Sequence, residues 1–497
     1  MGGRDRRRQG PLVTRRLSNA TRETLPDGVA RPAYDGRAVS PGIVHIGLGA
    51  FHRAHQAVAI DDCLAAGERD WGIVAASLRS AETRDALAPQ DGLYTLSVRD
   101  GAAERLRVVG SIGEILVAPE DPARLLAALT RPATRLVTLT VTEKAYLRAG
   151  DGSLDIDHAD LRADLAQPQR PKTVLGFLAR ALAERLSAGT PPFTVLSCDN
   201  LPENGTTLRR LLVAYAGLVD PALGDRIAAD VAFPCCMVDR IVPATTEEDR
   251  DRIASALGLE DRWPVTTEPF SQWVVEEAFP LGRPGWERAG VTMVDDVRPF
   301  EEMKLRLLNG AHSAIAYLGL LAGHETVAAA FGDVGIRRFV GSLWEQAIPT
   351  LPDGLDPYVY TNELARRFDN TALKHRTAQI ATDGSQKLPQ RIVAPALAAL
   401  AKGAPADRLM TVVAAWTAAC EARGRSLPAG HFSDPLDARL ATIAERGAGA
   451  AETVAAVFDA AGFAAGRAER PRLEALAAEA LGLLRVRGVA GLLAEGA

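Results

Sequence analysis

The sequence predicts an α/β protein in which a doubly wound N-terminal domain precedes a mostly α-helical C-terminal domain. A short apolar strand, a glycine turn, a helical pattern and a second apolar strand follow one another between residues 42 and 78, in the order of a βαβ unit. From about residue 298 the apolar residues recur almost throughout at helical spacing. We therefore divide the chain into an N-terminal tail and arm (1–35), a Rossmann-type dinucleotide-binding domain (36–297) and a helical substrate-binding and catalytic domain (298–497).

The composition indicates a folded protein with large apolar cores, because 47% of its 497 residues are hydrophobic. The 62 acidic residues outnumber the 57 basic ones, which argues against a nucleic-acid-binding protein. We interpret the basic cluster at Arg4–Arg8 as part of a solvated tail. We see no signal peptide and no apolar run long enough to span a bilayer. The five scattered cysteines indicate reduced thiols, so we expect a cytoplasmic protein.

The first βα connection carries the sequence GLGAFH, in which two glycines follow a predicted strand. The first glycine allows a tight turn, the second lets a pyrophosphate approach the backbone, and the helix N-terminus favours negative charge. We predict dinucleotide binding here, although histidine replaces the third glycine of the usual fingerprint. The alternative is a turn whose glycines serve geometry alone. The predicted cofactor-binding residues are Gly47, Gly49, Ala50, Phe51, His52 and Arg53.

The choice between NAD and NADP stays open at the end of the second predicted strand (71–78). A carboxylate there would bind the ribose of NAD, whereas an arginine would accommodate the extra phosphate of NADP. The sequence offers Arg79 close to this position and Glu82 a few residues later.

Two polar clusters accompany later apolar runs. SCDNLPENG places Asp199 and Asn200 at the carboxyl end of a predicted strand, where open α/β sheets bind ligands. The alternative there is an Asx-rich turn. FPCCMVDRIVP places Asp239 and Arg240 inside an apolar run that we interpret as a strand or strand end. These two residues are candidates for substrate binding, with a buried ion pair as the alternative.

The stretch EEMKLRLLNGAH contains one of only six lysines among the 57 basic residues of the chain. At about 100° per residue, Glu301, Lys304, Asn309 and His312 fall on one side of a single predicted helix. The alternative is a polar stripe that faces solvent.

These residue types suit the oxidation of a secondary alcohol by NAD(P). A desolvated lysine, unlike arginine, can lose its proton near neutral pH and then accept the hydroxyl proton of a substrate. An asparagine can donate to the substrate oxygen, and a histidine can orient the alcohol. No metal is required, and the pair His52 and His55 lacks the further ligands of a zinc site.

The segment LKHRTAQIATDGSQKLPQR gathers cations around an Asp-Gly turn, among them His375, Arg376 and Lys387. Such a set suits an anionic or polyhydroxylated substrate. The alternative is a charged loop over the helical domain.

Taken together, these motifs resemble those of the long-chain mannitol dehydrogenase family over most of the chain. The resemblance is carried by GLGAFHRAHQ, TVTEKAY, SCDNLPENG, FPCCMVDRIVP, KLRLLNGAHS and HRTAQIATDGSQKLPQR. It implies a zinc-independent, NAD(P)-dependent polyol or uronate oxidoreductase that acts as a monomer. It also implies a role for each matching residue: general acid/base for Lys304, substrate-oxygen binding for Asn200 and Asn309, orientation for His312, substrate binding for Asp239, and proton passage for Glu301.

Within the family, TVTEKAY and HRTAQIATDGSQKLPQR are more similar to the fructuronate reductase branch. This resemblance implies interconversion of D-mannonate and D-fructuronate. The alternatives are a mannitol 2-dehydrogenase acting on D-mannitol and D-fructose, another polyol dehydrogenase, or a non-catalytic nicotinamide-binding sensor. No nucleic-acid or membrane partner is expected.

Overall fold

The computed structural model describes residues 15–428 and 430–495, in two compact units that divide between Val297 and Arg298. The basic cluster at Arg4–Arg8 lies outside the described residues. In the described part of the chain, every strand belongs to the first unit, and the second unit is helical. The predicted fold class is therefore confirmed.

The strands of the first unit are short, as expected for an alternation of strands and helices. In chain order they are β1 (Pro41–Ile46), β2 (Gly72–Ser77), β3 (Tyr94–Asp100), β4 (Ala103–Val109), β5 (Ile112–Val117), β6 (Leu136–Leu139), β7 (Thr194–Ser197), β8 (Cys236–Asp239), β9 (Val265–Thr267), β10 (Gln272–Glu276) and β11 (Thr292–Val294).

The α-helices of the first unit mostly connect these strands. They are α1 (Ala50–Ala54), α2 (Gln56–Ala65), α3 (Glu82–Leu87), α4 (Pro122–Thr130), α5 (Ala159–Ala166), α6 (Val174–Ser187), α7 (Asn204–Val219), α8 (Pro221–Asp230) and α9 (Glu247–Leu257). Single 3₁₀ turns add Arg22–Thr24, Gly36–Ala38, Ala88–Gln90, Glu143–Tyr146 and Trp286–Ala289.

The central sheet of the first unit is parallel and has the strand order β5-β2-β1-β6-β7. Its strands are apolar almost throughout because helices cover both faces. Val44 and Ile46 pack into one cluster with α4, α6 and α7, whereas Ile43 packs on the other face with α2. The order reverses direction at β1 and β6, so the carboxyl ends of these strands form the switch point where such sheets bind ligands.

Two smaller sheets complete the first unit, with the orders β4-β3-β9 and β11-β10-β8. The apolar run that carries Asp239 and Arg240 forms β8, which pairs antiparallel with β10 and not with the central sheet.

The second unit is built from helices that continue the numbering. They are α10 (Arg298–Met303), α11 (Gly310–Ala322), α12 (Val327–Gly332), α13 (Val334–Ala347), α14 (Pro357–Phe368), α15 (Thr377–Ala381), α16 (Gly384–Leu388), α17 (Ala394–Ala401), α18 (Asp407–Ala422), α19 (Asp437–Glu445), α20 (Ala450–Ala461) and α21 (Arg470–Glu495). A 3₁₀ turn adds Ile348–Thr350, and two π-helical segments add Lys304–Asn309 and Pro389–Val393.

The single helix predicted to carry Glu301, Lys304, Asn309 and His312 is one continuous helical rod, but its middle is not α-helical. The segment Lys304–Asn309 is a π-helix between α10 and α11, and Gly323 ends the rod with a left-handed φ of 83°. The spacing of 100° per residue used above is therefore wrong across this segment, because a π-helix has more residues per turn.

A search of the described residues for a helix with the length and apolarity needed to cross a bilayer finds none.

Candidate active site

The glycine turn lies at the carboxyl end of β1, at the switch point of the sheet. Gly47 has a left-handed φ of 103°, and a Cβ atom on it would lie 2.2 Å from the carbonyl oxygen of Thr140. Only glycine fits there. A Cβ atom on Gly49 would meet nothing closer than 3.8 Å, so the space beside this backbone is open. These glycines fit a dinucleotide, whose pyrophosphate needs a close approach to the backbone.

Two stacked histidines support the glycine turn from inside the protein. The rings of His45 and His52 lie 3.4 Å apart at an angle of 9°. His45 Nδ1 pairs with the Thr138 hydroxyl at 2.8 Å, and its Nε2 lies 3.2 Å from the carbonyl oxygen of Gly47. Burial lowers the pKa of His45 to about 3, so both hydrogen bonds belong to a neutral imidazole.

The other predicted cofactor-binding residues divide by exposure. Ala50 and Phe51 are half-buried, whereas His52 and Arg53 are buried. Arg53 donates to the backbone carbonyl of Trp263 and stacks its guanidinium over the Tyr94 ring. The side chains of His52 and Arg53 therefore support the turn, and their contact with a cofactor stays a prediction.

The end of β2 carries no carboxylate. The Ser77 hydroxyl accepts the backbone amides of Arg79 and Ser80, both at 3.3 Å, and the Arg79 side chain is exposed. Glu82 is the first residue of α3. The structure thus places the arginine closer to the strand end than the nearest carboxylate of this connection.

The two polar neighbours at the end of β7 point in different directions. Asp199 is buried and Asn200 is exposed. The Asp199 carboxylate accepts the backbone amides of Val141 at 3.0 Å and Thr142 at 2.8 Å, and the Tyr146 hydroxyl at 2.6 Å. Burial raises the pKa of Asp199, and these hydrogen bonds to its ionised form oppose that rise.

Asp239 and Arg240, which are predicted to bind substrate, differ in burial. Asp239 is buried at the end of β8. The half-buried Arg240 guanidinium donates to the carbonyl oxygens of Ala54 and, at 3.0 Å, of Glu268. Arg240 thus links α1 to the segment after β9, and its predicted substrate contact is not tested by this geometry.

In the second unit, the π-helix carries Lys304 at its start and Asn309 at its end. Lys304 is half-buried, and Asn309 is buried. Such wide turns cost hydrogen-bond geometry and are frequent at functional sites. The second π-helix, Pro389–Val393, packs against the first, and a Cβ atom on Gly310 would lie 3.4 Å from the carbonyl oxygen of Arg391.

The buried His312 ring lies among cationic groups. His375 contacts it edge to face, with ring centres 5.4 Å apart. Burial lowers the pKa of His312 well below its usual range, and the positive charges of Arg367, Arg391 and Lys304 lower it further. Burial also lowers the pKa of His375 to about 4. His312 is therefore a neutral imidazole in a positive field, and its neighbour His375 is kept neutral by burial.

Three buried nitrogen atoms of this region have no hydrogen-bond partner among the described residues. They are Asn309 Nδ2, His312 Nε2 and His375 Nδ1. Buried polar atoms are nearly always hydrogen-bonded in folded proteins. Because three such atoms occur in one region, we interpret it as a binding site for a ligand with several oxygen atoms.

The other two cations predicted to bind substrate in the second unit, Lys387 and Arg376, differ from His375 in their surroundings. The Lys387 ammonium donates to the carbonyl oxygen of Thr382 at 2.6 Å, and the Arg376 side chain at the start of α15 is exposed. Sequence reasoning missed Arg367, which is buried in the last turn of α14. Arg391, the last residue of the segment LKHRTAQIATDGSQKLPQR, belongs to the second π-helix.

A cavity of about 570 Å³ opens elsewhere in the first unit, beside the amino ends of β1, β2 and β5. Several of its polar groups already bond to protein: Asp91 accepts the Asn19 amide at 2.9 Å, and Arg22 donates to the Tyr34 carbonyl. Open α/β sheets bind ligands at the opposite edge, so we do not assign the active site to this cavity.

No group of three or more metal-ligating side chains is arranged around a metal position within residues 15–428 and 430–495.

A Rossmann-type unit with a dinucleotide turn, followed by a helical unit with a lysine, asparagine and histidine set, defines the class of nicotinamide-dependent dehydrogenases. The sequence matches the mannitol dehydrogenase Rossmann domain over residues 41–288 and the mannitol dehydrogenase C-terminal domain over residues 296–482. The chain belongs to the mannitol dehydrogenase family, which is NAD-dependent. It is an oxidoreductase that acts on CH–OH groups.

Named relatives differ in their substrates. The chain is 44% identical over 397 residues to D-mannonate oxidoreductase of Escherichia coli, covering 78% of this chain and 82% of the relative. It is 42% identical over 421 residues to mannitol 2-dehydrogenase of Pyrenophora tritici-repentis, covering 82% and 74%. The solved ternary complex of Pseudomonas fluorescens mannitol 2-dehydrogenase with NAD and D-mannitol superposes with a TM-score of 0.86 at 36% identity, covering 97% and 99%.

Proposed function

We propose that this protein interconverts D-mannonate and D-fructuronate with NAD as the cofactor, in the cytoplasm. The observation that carries the choice of substrate is the positive field that Arg367, Arg391 and Lys304 create around the buried His312, which the His375 ring contacts edge to face. A carboxylate-bearing sugar gains from that field through charge-assisted hydrogen bonds, whereas a neutral polyol does not. All five cysteines are buried free thiols, in keeping with a reducing compartment.

In the proposed mechanism, the residues of the second unit handle the proton and the developing charge. Lys304 accepts the hydroxyl proton of the substrate, and NAD, when bound, would supply the hydride acceptor. Asn309 donates through its free Nδ2 to the substrate oxygen, and His312 donates or accepts through Nε2 to orient the alcohol. The reverse reaction returns the proton from Lys304 to the carbonyl oxygen. A direct role for Asn200 at the same oxygen remains part of the proposal.

In the first unit, Gly47 and Gly49 would hold the pyrophosphate of NAD beside the backbone, because one has no room for a side chain and the other has open space beside it. The monomeric state and the substrate contacts of Asp239, Arg240, Arg376 and Lys387 stay predictions.

The test follows NADH consumption by absorbance, with D-fructuronate and separately with D-fructose. We expect at least a tenfold higher kcat/KM for D-fructuronate, because about 1.4 kcal/mol of extra binding gives a factor of ten and hydrogen bonds to a charged group contribute about that much. Equal or faster turnover of D-fructose would support the second candidate, a mannitol 2-dehydrogenase, which the similarity to the D-mannitol complex favours.

A matched pair of arginines on α14 sharpens this test. Arg367 is 6% exposed and lies near His312, whereas the side chain of its neighbour Arg366 is 80% exposed and pairs with Glu363. Arg367→Gln should lower kcat/KM for D-fructuronate about tenfold or more and leave D-fructose turnover within twofold. Arg366→Gln should change neither. Equal losses on both sugars for Arg367→Gln would contradict a carboxylate contact at this residue, and Arg391→Gln and Arg376→Gln would then be compared in the same way.

A non-catalytic sensor remains the alternative from another class. Wild-type protein that binds NADH but turns over no polyol or uronate would support it.

A further inference from the structure

The carboxyl ends of β6 and β7 are joined by one buried carboxylate. Asp199, directly after β7, accepts the backbone amides of Val141 and Thr142 from the segment after β6. It also accepts the hydroxyl of Tyr146, and Tyr146 in turn lies 2.6 Å from the Ser197 hydroxyl. Because the tyrosine proton is used toward Asp199, Ser197 donates to Tyr146. Each donor of this network has an acceptor.

The segment held by Asp199 has an unfavourable backbone conformation. Thr142 has φ 74° and ψ 156°, a region that only glycine adopts easily, and threonine is β-branched. Thr142 is exposed, so no packing of its side chain compensates for this conformation. The hydrogen bond from its amide to Asp199, at 2.8 Å, holds it in place.

The strained segment lies beside the dinucleotide turn. β6 is the neighbour of β1 at the switch point, and Thr140, two residues before Thr142, closes against Gly47. The Thr140 hydroxyl also donates to the Gly47 carbonyl at 2.7 Å. Asn200, next to Asp199, is exposed at the same edge of the sheet. The buried carboxylate therefore fixes two neighbours of the cofactor site at once.

We propose that Asp199 and Tyr146 form a positioning clamp that holds residues 141–146 and Asn200 in the geometry needed for nicotinamide binding and hydride transfer. This inference rests on the proposed function. Asp199 and Tyr146 act through the backbone and through Asn200, and are positioning residues without contact to the reacting atoms.

The chain provides a matched control in Asp164 of α5. This carboxylate is also buried, and it accepts two backbone amides, of Lys172 and Thr173 at 2.8 Å, and one hydroxyl, of Thr173 at 2.7 Å. Its hydrogen bonds fix the residues just before α6, and none of these donors belongs to residues 141–146 or to Asn200. Asp164→Asn thus removes the same kind of network and leaves the hydrogen bonds of the clamp in place.

The experiment compares Asp199→Asn, Tyr146→Phe and Asp164→Asn by melting temperature, by NADH affinity from protein fluorescence without sugar, and by kcat and KM. We expect all three to lower the melting temperature. Asp199→Asn should raise the NADH Kd about fivefold and lower kcat about 100-fold, with Tyr146→Phe in the same direction and smaller. Asp164→Asn should keep the NADH Kd and kcat within twofold of wild type.

The clamp is overturned if the Asp199 and Tyr146 variants lose only melting temperature, as Asp164→Asn does. If Asp199→Asn fails to fold, Tyr146→Phe decides, because it removes one hydroxyl and keeps the ring. The NADH measurement needs no sugar substrate. A wrong assignment of D-fructuronate would therefore leave the effect on NADH affinity intact, whereas a wrong clamp would leave turnover of the true substrate intact.

Discussion

The polar cluster around Asp199 and the polar cluster around His312 bury similar kinds of groups, but they differ in whether their hydrogen bonds are complete. The acceptors and donors of the Asp199 network are paired within the protein. Around His312, three buried nitrogen atoms lack a partner in the described chain. A complete network rigidifies the chain, whereas an incomplete one is costly until a ligand completes it. The cluster around Asp199 therefore fixes the local backbone conformation, and we infer that the cluster around His312 binds a ligand.

The largest expected effect comes from removing the base in the incomplete cluster. Lys304→Ala should lower kcat about 10³-fold, since a positioned general base contributes about 10²–10⁴-fold, and should leave the NADH Kd within twofold. Steady-state kinetics and NADH fluorescence measure both. The control is Lys402→Ala, which removes an exposed lysine that donates to the Pro349 carbonyl. Turnover by Lys304→Ala close to that of wild type would assign proton transfer to another group.

Two asparagines, Asn204 and Asn309, show the difference between the clusters most directly. The hydrogen bonds of the Asn204 side chain are satisfied within the protein: it donates to the Cys236 carbonyl at 2.8 Å and accepts the Cys236 amide at 2.9 Å. Asn204→Leu should therefore cost about 1–3 kcal/mol of unfolding free energy. Asn309→Leu should change the unfolding free energy by less than about 1 kcal/mol, yet lower kcat about 10²-fold by removing the donor to the substrate oxygen.

Denaturant titrations and steady-state kinetics decide this prediction. If Asn309→Leu destabilised the protein as much as Asn204→Leu, the Nδ2 atom of Asn309 would already donate to a protein group and could not donate to substrate.

The buried histidines should make the unfolding free energy depend on pH. The pKa of His45 is lowered to about 3 and that of His375 to about 4, in both cases by burial. A depressed pKa contributes stability above about pH 6.5, which is lost as the pH falls toward the folded-state value. Each histidine should then remove about 1.4 kcal/mol of unfolding free energy per pH unit within that window.

Unfolding free energies measured from pH 7 to pH 4 test the sign. His375→Gln should flatten the acid slope, because it removes the group that is protonated only in the unfolded chain. A slope in His375→Gln equal to that of wild type would show that this imidazole titrates normally.

The smallest effect concerns nucleotide choice at the end of β2, outside both clusters. Arg79→Ser should weaken NADPH binding about fivefold, because an arginine here accommodates the 2′-phosphate of NADP, and should leave NADH binding unchanged. Fluorescence titrations with the two nucleotides measure the ratio. Equal weakening of NADH and NADPH would mean that Arg79 does not read the 2′ position.

Sequence patterns predicted the first cluster better than the second. The glycine turn, the strand before Asp199 and the change to helices near residue 298 all depend on local residue order, and local order determines them. The same reasoning placed Asp199 at a strand end, but not its partners Val141 and Thr142, because strand neighbours in a parallel sheet are distant in sequence.

The second cluster depends on packing that no periodicity reports. The π-helix at Lys304–Asn309 packs against a second π-helix about 80 residues later. Arg367 joins the cluster from α14, and its neighbour Arg366 has the same residue type with no such role. Residue type alone favoured Arg376, whose side chain is exposed. Only the folded chain distinguishes these arginines.

The π-helix also makes the length of the segment between Lys304 and His312 part of the chemistry. Deleting one residue from Lys304–Asn309 would restore α-helical pitch and keep every functional side chain. It would also keep Lys304, Asn309 and His312 on nearly the same side of the rod, because a π turn takes up about one more residue than an α turn. A one-residue deletion between Lys304 and Asn309 therefore tests the wide turn itself, separately from the side chains that it carries.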